Sequence, residues 1–248
     1  MKLYGLLGKN IEYSFSRSYF SEKFRRENIK AEYHNFDIPA IEHFPDVLSR
    51  NKDLQGLNVT IPYKQSVIKY LDSLDSNAQE IGAVNTIKIG GNGKLSGYNT
   101  DFYGFGESIK PLLKKQHSQA LILGTGGASK AVAYALKKLG IHYKYVSRNP
   151  EKEQLSYTAL SKEIFQANKI IINTTPLGTH PDIQNHPQLP YHFFTKSHLA
   201  YDLIYNPATT RFMELAAKNG AKTINGLKML ELQAEKAWEI WNSGEEIF

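Results

Sequence analysis

The 248-residue sequence contains no cysteine. Disulfides, thiolate zinc sites and cysteine nucleophiles are therefore excluded, and a reducing compartment suits the chain. It also lacks any apolar run approaching the ~18 residues of a membrane span. The opening Met-Lys-Leu-Tyr-Gly-Leu-Leu-Gly is too short an apolar run for a signal peptide, so a soluble, cytoplasmic protein with no membrane partner is expected. Its eight histidines (His34, His43, His117, His142, His180, His186, His192, His198) stand singly. None forms an i, i+4 pair beside a carboxylate in motif order, so no metal site is expected. No internal repeat, low-complexity segment or long linker breaks the chain.

Charge is present but not concentrated. The net charge of +6 and the pI near 9.2 raise nucleic acid as a partner, yet lysines and arginines are dispersed rather than clustered with aromatics. No nucleic-acid partner is expected; the dispersed charge suits a solvated surface with local attraction for anionic small molecules.

With 41% hydrophobic residues the chain can bury a sizeable core, and its length suits two small domains. Residues 2–7 read as a strand, 16–28 as a helix with Tyr19, Phe20 and Phe24 on one side, and 33–38 as a second strand. Ile41, Phe44 and Leu48 mark a second helix. Residues 56–60 form a short strand stopped at Pro62, with Lys64 in the first turn of a following helix. Residues 83–89 and 94–100 flank Gly90-Gly91-Asn92-Gly93 and suit a hairpin. The first hundred residues thus form an α/β unit with at least one antiparallel pair.

Beyond Asp101 the pattern becomes strand and helix in alternation. A linking helix at 102–113 leads to strands at 120–123, 143–146, 169–173, 199–204 and 221–224, which makes a doubly wound parallel sheet. Between the first two strands a helix with Val132, Ala135 and Leu136 inward stops at Gly140. The longest loop, 178–192, carries Pro181, Pro187 and Pro190. The last helix, 227–241, spaces Leu227, Leu230, Ala234, Ala237, Trp238 and Trp241 as a core-facing stripe.

The segment Ala-Leu-Ile-Leu-Gly-Thr-Gly-Gly-Ala at 120–128 runs a buried strand into a glycine turn that opens a helix. Glycines allow close backbone approach to phosphates, and a helix N-terminus favours negative charge, so this segment suits a dinucleotide pyrophosphate. By itself such a turn also occurs for steric reasons. The next strand ends Val146-Ser147-Arg148-Asn149, where a unit binding NAD commonly places an acidic residue against the ribose. An arginine fork there suits a 2′-phosphate and points to NADP.

Upstream, Asn58 and Thr60 alternate with Leu57, Val59 and Ile61, so both point to one face at the end of a strand, near Lys64. Asn85 and Asp101 lie at further strand ends. Each alone is an ordinary turn or cap residue; together they can hold a small, hydroxyl-rich ligand.

In combination these segments resemble shikimate dehydrogenase. The resemblance rests on Asn-Val-Thr-Ile-Pro-Tyr-Lys at 58–64, Gly-Ala-Val-Asn-Thr at 82–86, Asn-Thr-Asp at 99–101 and Gly-Thr-Gly-Gly-Ala at 124–128. It continues through Asn-Thr-Thr-Pro-Leu-Gly at 173–178, Tyr-Asp-Leu-Ile-Tyr-Asn-Pro at 201–207 and Asn-Gly-Leu-Lys-Met-Leu-Glu-Leu-Gln at 225–233, in family order along almost the whole chain. It implies a substrate-binding catalytic domain from residues 1–101 with 227–248, a Rossmann-like NADP-binding domain from 102–226, and a cleft between them. Ser14 and Ser16 would hold the carboxylate of a hydroxy-acid substrate, and Asn58, Thr60, Asn85, Asp101 and Gln233 its hydroxyls and ring. Lys64 and Asp101 would be the catalytic pair, with Tyr205 near substrate and nicotinamide. Gly124, Thr125, Gly126, Gly127 and Ala128 would take the pyrophosphate; Ser147, Arg148, Asn149 and Lys152 the adenosine phosphate; and Thr174, Leu203 and Gly226 would border the cofactor.

The sequence departs from the family where Tyr13 replaces the usual histidine before Ser14, and Arg17 the usual proline after Ser16. Asn149-Pro150 follows Arg148 where threonine is common, and the stretch to Lys169 looks too short for a full helix, strand and helix. The implied activity is NADP-dependent reduction of 3-dehydroshikimate by a monomer or homodimer. A quinate or dual-specificity enzyme and a non-catalytic NADP-binding regulator are the alternatives.

Overall fold

Strand period sorts the first segment into two faces. In β1 (Lys2–Gly8) Leu3 and Leu7 pack into one apolar cluster, while Tyr4 and Leu6 enter another on the opposite face. The computed structural model describes residues 1–12 and 14–244. They divide into two units, Met1–Thr100 with the chain from Ala234 onward, and Asp101–Gln233. The chain therefore passes from one unit to the other at Thr100–Asp101 and inside the last helix, seven residues beyond the boundary expected at 227.

The first unit continues through α1 (Phe15–Arg26), β2 (Ala31–Asp37), α2 (Phe44–Arg50) and β3 (Leu54–Val59). Then come β4 (Ser73–Leu74), α3 (Ser76–Ile81), β5 (Thr86–Ile89) and β6 (Leu95–Tyr98). Its sheet has the order β2-β1-β3-β5-β6-β4. β1 pairs in parallel with β2 and β3, whereas β3–β5 and β5–β6 are antiparallel, as the expected hairpin requires. Lys64 lies in a turn that precedes a 3-10 helix at Ser66–Tyr70, not in an α-helix as the sequence suggested. Backbone bonds explain the difference: Tyr63 N–H donates to Thr60 O and Val84 N–H to Lys64 O, so the segment is held as a turn against the loop between α3 and β5.

The second unit contains α4 (Asp101–Ile109), β7 (Gln119–Leu123), α5 (Gly127–Lys138), β8 (His142–Ser147), β9 (Leu155–Ser156), α6 (Lys162–Ala167) and β10 (Ile170–Asn173). β11 (Leu199–Asp202), α7 (Arg211–Lys218), β12 (Lys222–Ile224) and α8 (Leu227–Asn242) follow. The stretch between β8 and β10 that looked too short accommodates β9, a 3-10 turn at Tyr157–Ala159 and the six-residue α6. All sheet pairs in this unit are parallel, in the order β12-β11-β10-β7-β8-β9. Ala120, Ile122, Ile170 and Ile172 face Phe105, Val132 and Leu136, while Leu121, Leu123 and Ile171 face Phe165 and Phe212. Burial on both faces explains why these strands read as continuous apolar runs. The sheet is doubly wound, with helices against each side.

In the last helix Ala234, Ala237 and Trp241 are buried and Trp238 packs half-buried against the same cluster, whereas Leu227, expected in that stripe, is exposed. Trp241 is buried, its indole N–H donates to Ile87 O at 3.0 Å, and a Cβ on Gly56 would come within 2.3 Å of it. Gly56 thus lets the indole lie against β3. Among the described residues, no helix is long and apolar enough to cross a membrane.

Candidate active site

In the first unit three polar segments converge on Asn85. Val59 N–H donates to Asn85 O at 2.8 Å, joining the end of β3 to the turn before β5. Thr100 N–H donates to Asn85 Oδ1 at 2.7 Å, and Asn85 Nδ2 donates to Thr100 Oγ1 at 3.0 Å. Asn99 Nδ2 reaches Ala83 O at 2.9 Å. The Lys64 turn is fastened to the same place by the Val84 N–H···O Lys64 bond of 2.7 Å. Asn58, Thr60, Lys64 and Asn85 are thereby brought together at the ends of β3 and β5. Asn58 and Asn85 are buried, and Thr60 and Lys64 half-buried, so Lys64 has a partly desolvated stem at a polar strand end.

Ser14 caps α1, its Oγ accepting from Arg17 N–H at 3.2 Å, and Ser16 lies within the first turn. The Arg17 side chain is exposed, whereas Tyr13 lies outside the described residues.

In the second unit Asp101 is buried at the start of α4. One turn on, a Cβ at Gly104 would meet Met229 O at 2.5 Å and Gln233 N at 3.0 Å. That glycine allows α4 and α8 to approach closely, placing buried Gln233 on the helix that packs beside the Asp101 helix.

The glycine turn has the expected build. Gly124 adopts φ +101, a left-handed conformation costly for other residues. Nothing lies within 4 Å of where a Cβ would stand on Gly126 or Gly127. α5 begins there without a side-chain cap and without an acidic residue in its first turn. Open backbone at an uncapped helix start fits a pyrophosphate, which needs close approach and N–H donors. Thr174 adjoins Gly124 and donates from Oγ1 to Leu123 O at 2.6 Å; Thr125 is exposed and Ala128 half-buried. Leu203 and Gly226 are in contact, since a Cβ on Gly226 would come within 2.0 Å of Leu203 O.

Beyond β8 the backbone folds into a tight turn: Asn149 N–H donates to Ser147 Oγ at 3.2 Å and Gln154 N–H to Glu151 O at 3.0 Å. Arg148, Asn149 and Lys152 project from it exposed, so the charges expected to meet a phosphate stand in solvent at the end of β8. Tyr205 is half-buried in the loop after β11, and burial raises its pKa.

Sequence reading missed a buried network beneath that loop. Asp202 accepts from Thr210 Oγ1 at 2.6 Å, Ile204 N–H at 3.0 Å and Asn173 Nδ2 at 3.1 Å. Asn173 Oδ1 in turn accepts from Thr175 N–H and Oγ1. These bonds tie together the segments that follow β10 and β11, where Thr174, Leu203 and Tyr205 sit. A carboxylate at the end of an apolar strand was the available signal.

Residues 6–87 match the model of the shikimate dehydrogenase substrate binding domain. The chain is 38% identical to the NADP(+) shikimate dehydrogenase of Caldanaerobacter subterraneus, over 97% of this chain and 91% of that protein. It is 40% identical, with the same coverage, to the enzyme of that name from Methanococcus maripaludis. Among solved structures, the shikimate dehydrogenase of Thermus thermophilus in complex with NADP(H) and shikimate superposes with a TM-score of 0.86. That match has 31% identity and covers 98% of this chain and 94% of the other.

Proposed function

The chain belongs to the shikimate dehydrogenase family, and we propose that it catalyses the reversible, NADP-dependent reduction of 3-dehydroshikimate to shikimate. The observation that carries the reading is the fastening of Lys64 to the Asn85 network by the 2.7 Å bond from Val84 N–H to Lys64 O. It fastens the backbone of Lys64 to the segment that carries the Asn85 amide, within the part of the chain that matches a substrate binding domain.

Bound NADPH supplies the hydride. As negative charge builds on the carbonyl oxygen, the Lys64 ammonium donates a proton to it; in the reverse direction the neutral amine accepts the hydroxyl proton. Asp101 is the second member of the catalytic pair and accepts from a substrate hydroxyl. Ser14 and Ser16 hold the carboxylate, and Asn58, Thr60, Asn85 and Gln233 bind the ring hydroxyls. Gly124 to Ala128 take the pyrophosphate, and Ser147, Arg148, Asn149 and Lys152 the adenosine phosphate. Tyr205 lies near substrate and nicotinamide, and Thr174, Leu203 and Gly226 border the cofactor. The enzyme acts as a monomer or homodimer, which sedimentation distinguishes.

Lys64→Ala tests the central role. Removing a general acid–base group lowers kcat by roughly 10²–10⁴-fold, with the KM for shikimate changed only a few-fold. A variant that keeps most of the wild-type kcat contradicts the assignment.

A further inference from the structure

Tyr33, on β2, is buried and stacks on Phe20 with ring centroids 4.8 Å apart. Its hydroxyl lies 2.8 Å from Asn58 Oδ1. The geometry fixes the direction of this bond. The other end of the Asn58 amide faces Asn85 O at 3.4 Å, and a main-chain carbonyl can only accept, so that end is the NH₂. The end facing Tyr33 is therefore the oxygen, and the phenol must donate to it. Burial holds the Tyr33 pKa well above the usual phenol range, so the donor keeps its proton through the working pH range.

We infer that Tyr33 is a positioning residue for substrate: its hydroxyl occupies the acceptor end of Asn58, leaving the Asn58 N–H as the group offered to a substrate hydroxyl oxygen. Both contacts of Nδ2 within the protein, to Asn85 O and Thr86 Oγ1, are long at 3.4 Å. A weakly engaged amide N–H is well suited to take a ligand oxygen. The inference rests on the proposed substrate role of Asn58.

Tyr33→Phe keeps the ring and deletes only the hydroxyl. Steady-state kinetics should show the KM for shikimate raised about tenfold, as loss of one oriented hydrogen bond implies, with kcat within about threefold and the KM for NADP unchanged. In an Asn58→Ala background the same substitution should add little, because its effect passes through Asn58. Asn58→Asp is the complementary variant. It still accepts from Tyr33 but has no N–H to offer, so its KM for shikimate should rise at least as far as that of Asn58→Ala. An unchanged KM in Tyr33→Phe, an equal rise with Asn58 already removed, or a wild-type KM in Asn58→Asp each overturns the inference. Absence of shikimate turnover by the wild-type enzyme instead strikes the functional reading, and the inference falls with it.

Discussion

Asp202 shows how much a single buried side chain can carry. Three neutral donors hold its carboxylate, and burial raises its pKa from 3.8 to about 6. Between those values the folded protein keeps a proton that the unfolded chain has lost. Stability therefore falls as pH rises through this window and levels off above about 6. His198 and His117, whose pKa values burial lowers, act oppositely, removing stability as pH falls below 6.5. The two histidine contributions are shared with Asp202→Asn, which lacks the Asp202 titration and whose amide can keep the bonds to Ile204, Asn173 and Thr210. The stability of Asp202→Asn relative to wild type should increase from pH 4 to pH 6.5, reaching on the order of 3 kcal/mol. Chemical denaturation across that range reads it directly, and a difference independent of pH would contradict the assignment. At this scale Asn58, Lys64 and Asn85 were legible because their motif spacing is distinctive. Tyr33 and Asp202 were not, since a tyrosine or aspartate within a strand carries no local mark of its partner.

At the scale of elements, the turn after β8 is the proposed determinant of cofactor preference. It ends a parallel strand with an exposed Arg148 where NAD-binding units commonly carry a carboxylate. Arg148→Ala should raise the KM for NADP roughly tenfold to a hundredfold, the range of a charge-assisted contact worth about 1.5–3 kcal/mol, and leave the KM for NAD nearly unchanged. Equal losses with both cofactors would place the arginine elsewhere in the site. Long elements with clear apolar period, such as α5, β7 and α8, could be read directly from the sequence. Short ones could not: α3 has six residues and buries only Ala78 and Ile81, and its ends are set by Asp75 Oδ1 accepting from Ala78 N–H at 2.8 Å and by Gly82 at φ +69. β4 and β9 have two residues each and exist only through their pairing with β6 and β8. The Lys64 turn was misread for a related reason: its conformation is set by Val84, twenty residues away in sequence, rather than by local propensity.

For the molecule as a whole, the chemistry is divided between two separately built units. One assembles a polar set at strand ends around Asn85, proposed to bind substrate hydroxyls; the other presents open glycine backbone at the start of α5. The chain crosses between them directly before Asp101 and directly after Gln233, so two of the proposed substrate ligands sit at the crossings. The sequence showed two domains through the change from mixed to regular alternation. The exact crossing inside α8 was hidden because the helix runs through it without a break in its apolar period. The central proposal is that this chain is a dehydrogenase that prefers shikimate to quinate and NADP to NAD. Initial rates of nicotinamide reduction by the wild-type enzyme, with shikimate or quinate and with NADP or NAD, test it most directly. The account predicts the highest kcat/KM for shikimate with NADP; no turnover in any of the four combinations would contradict it.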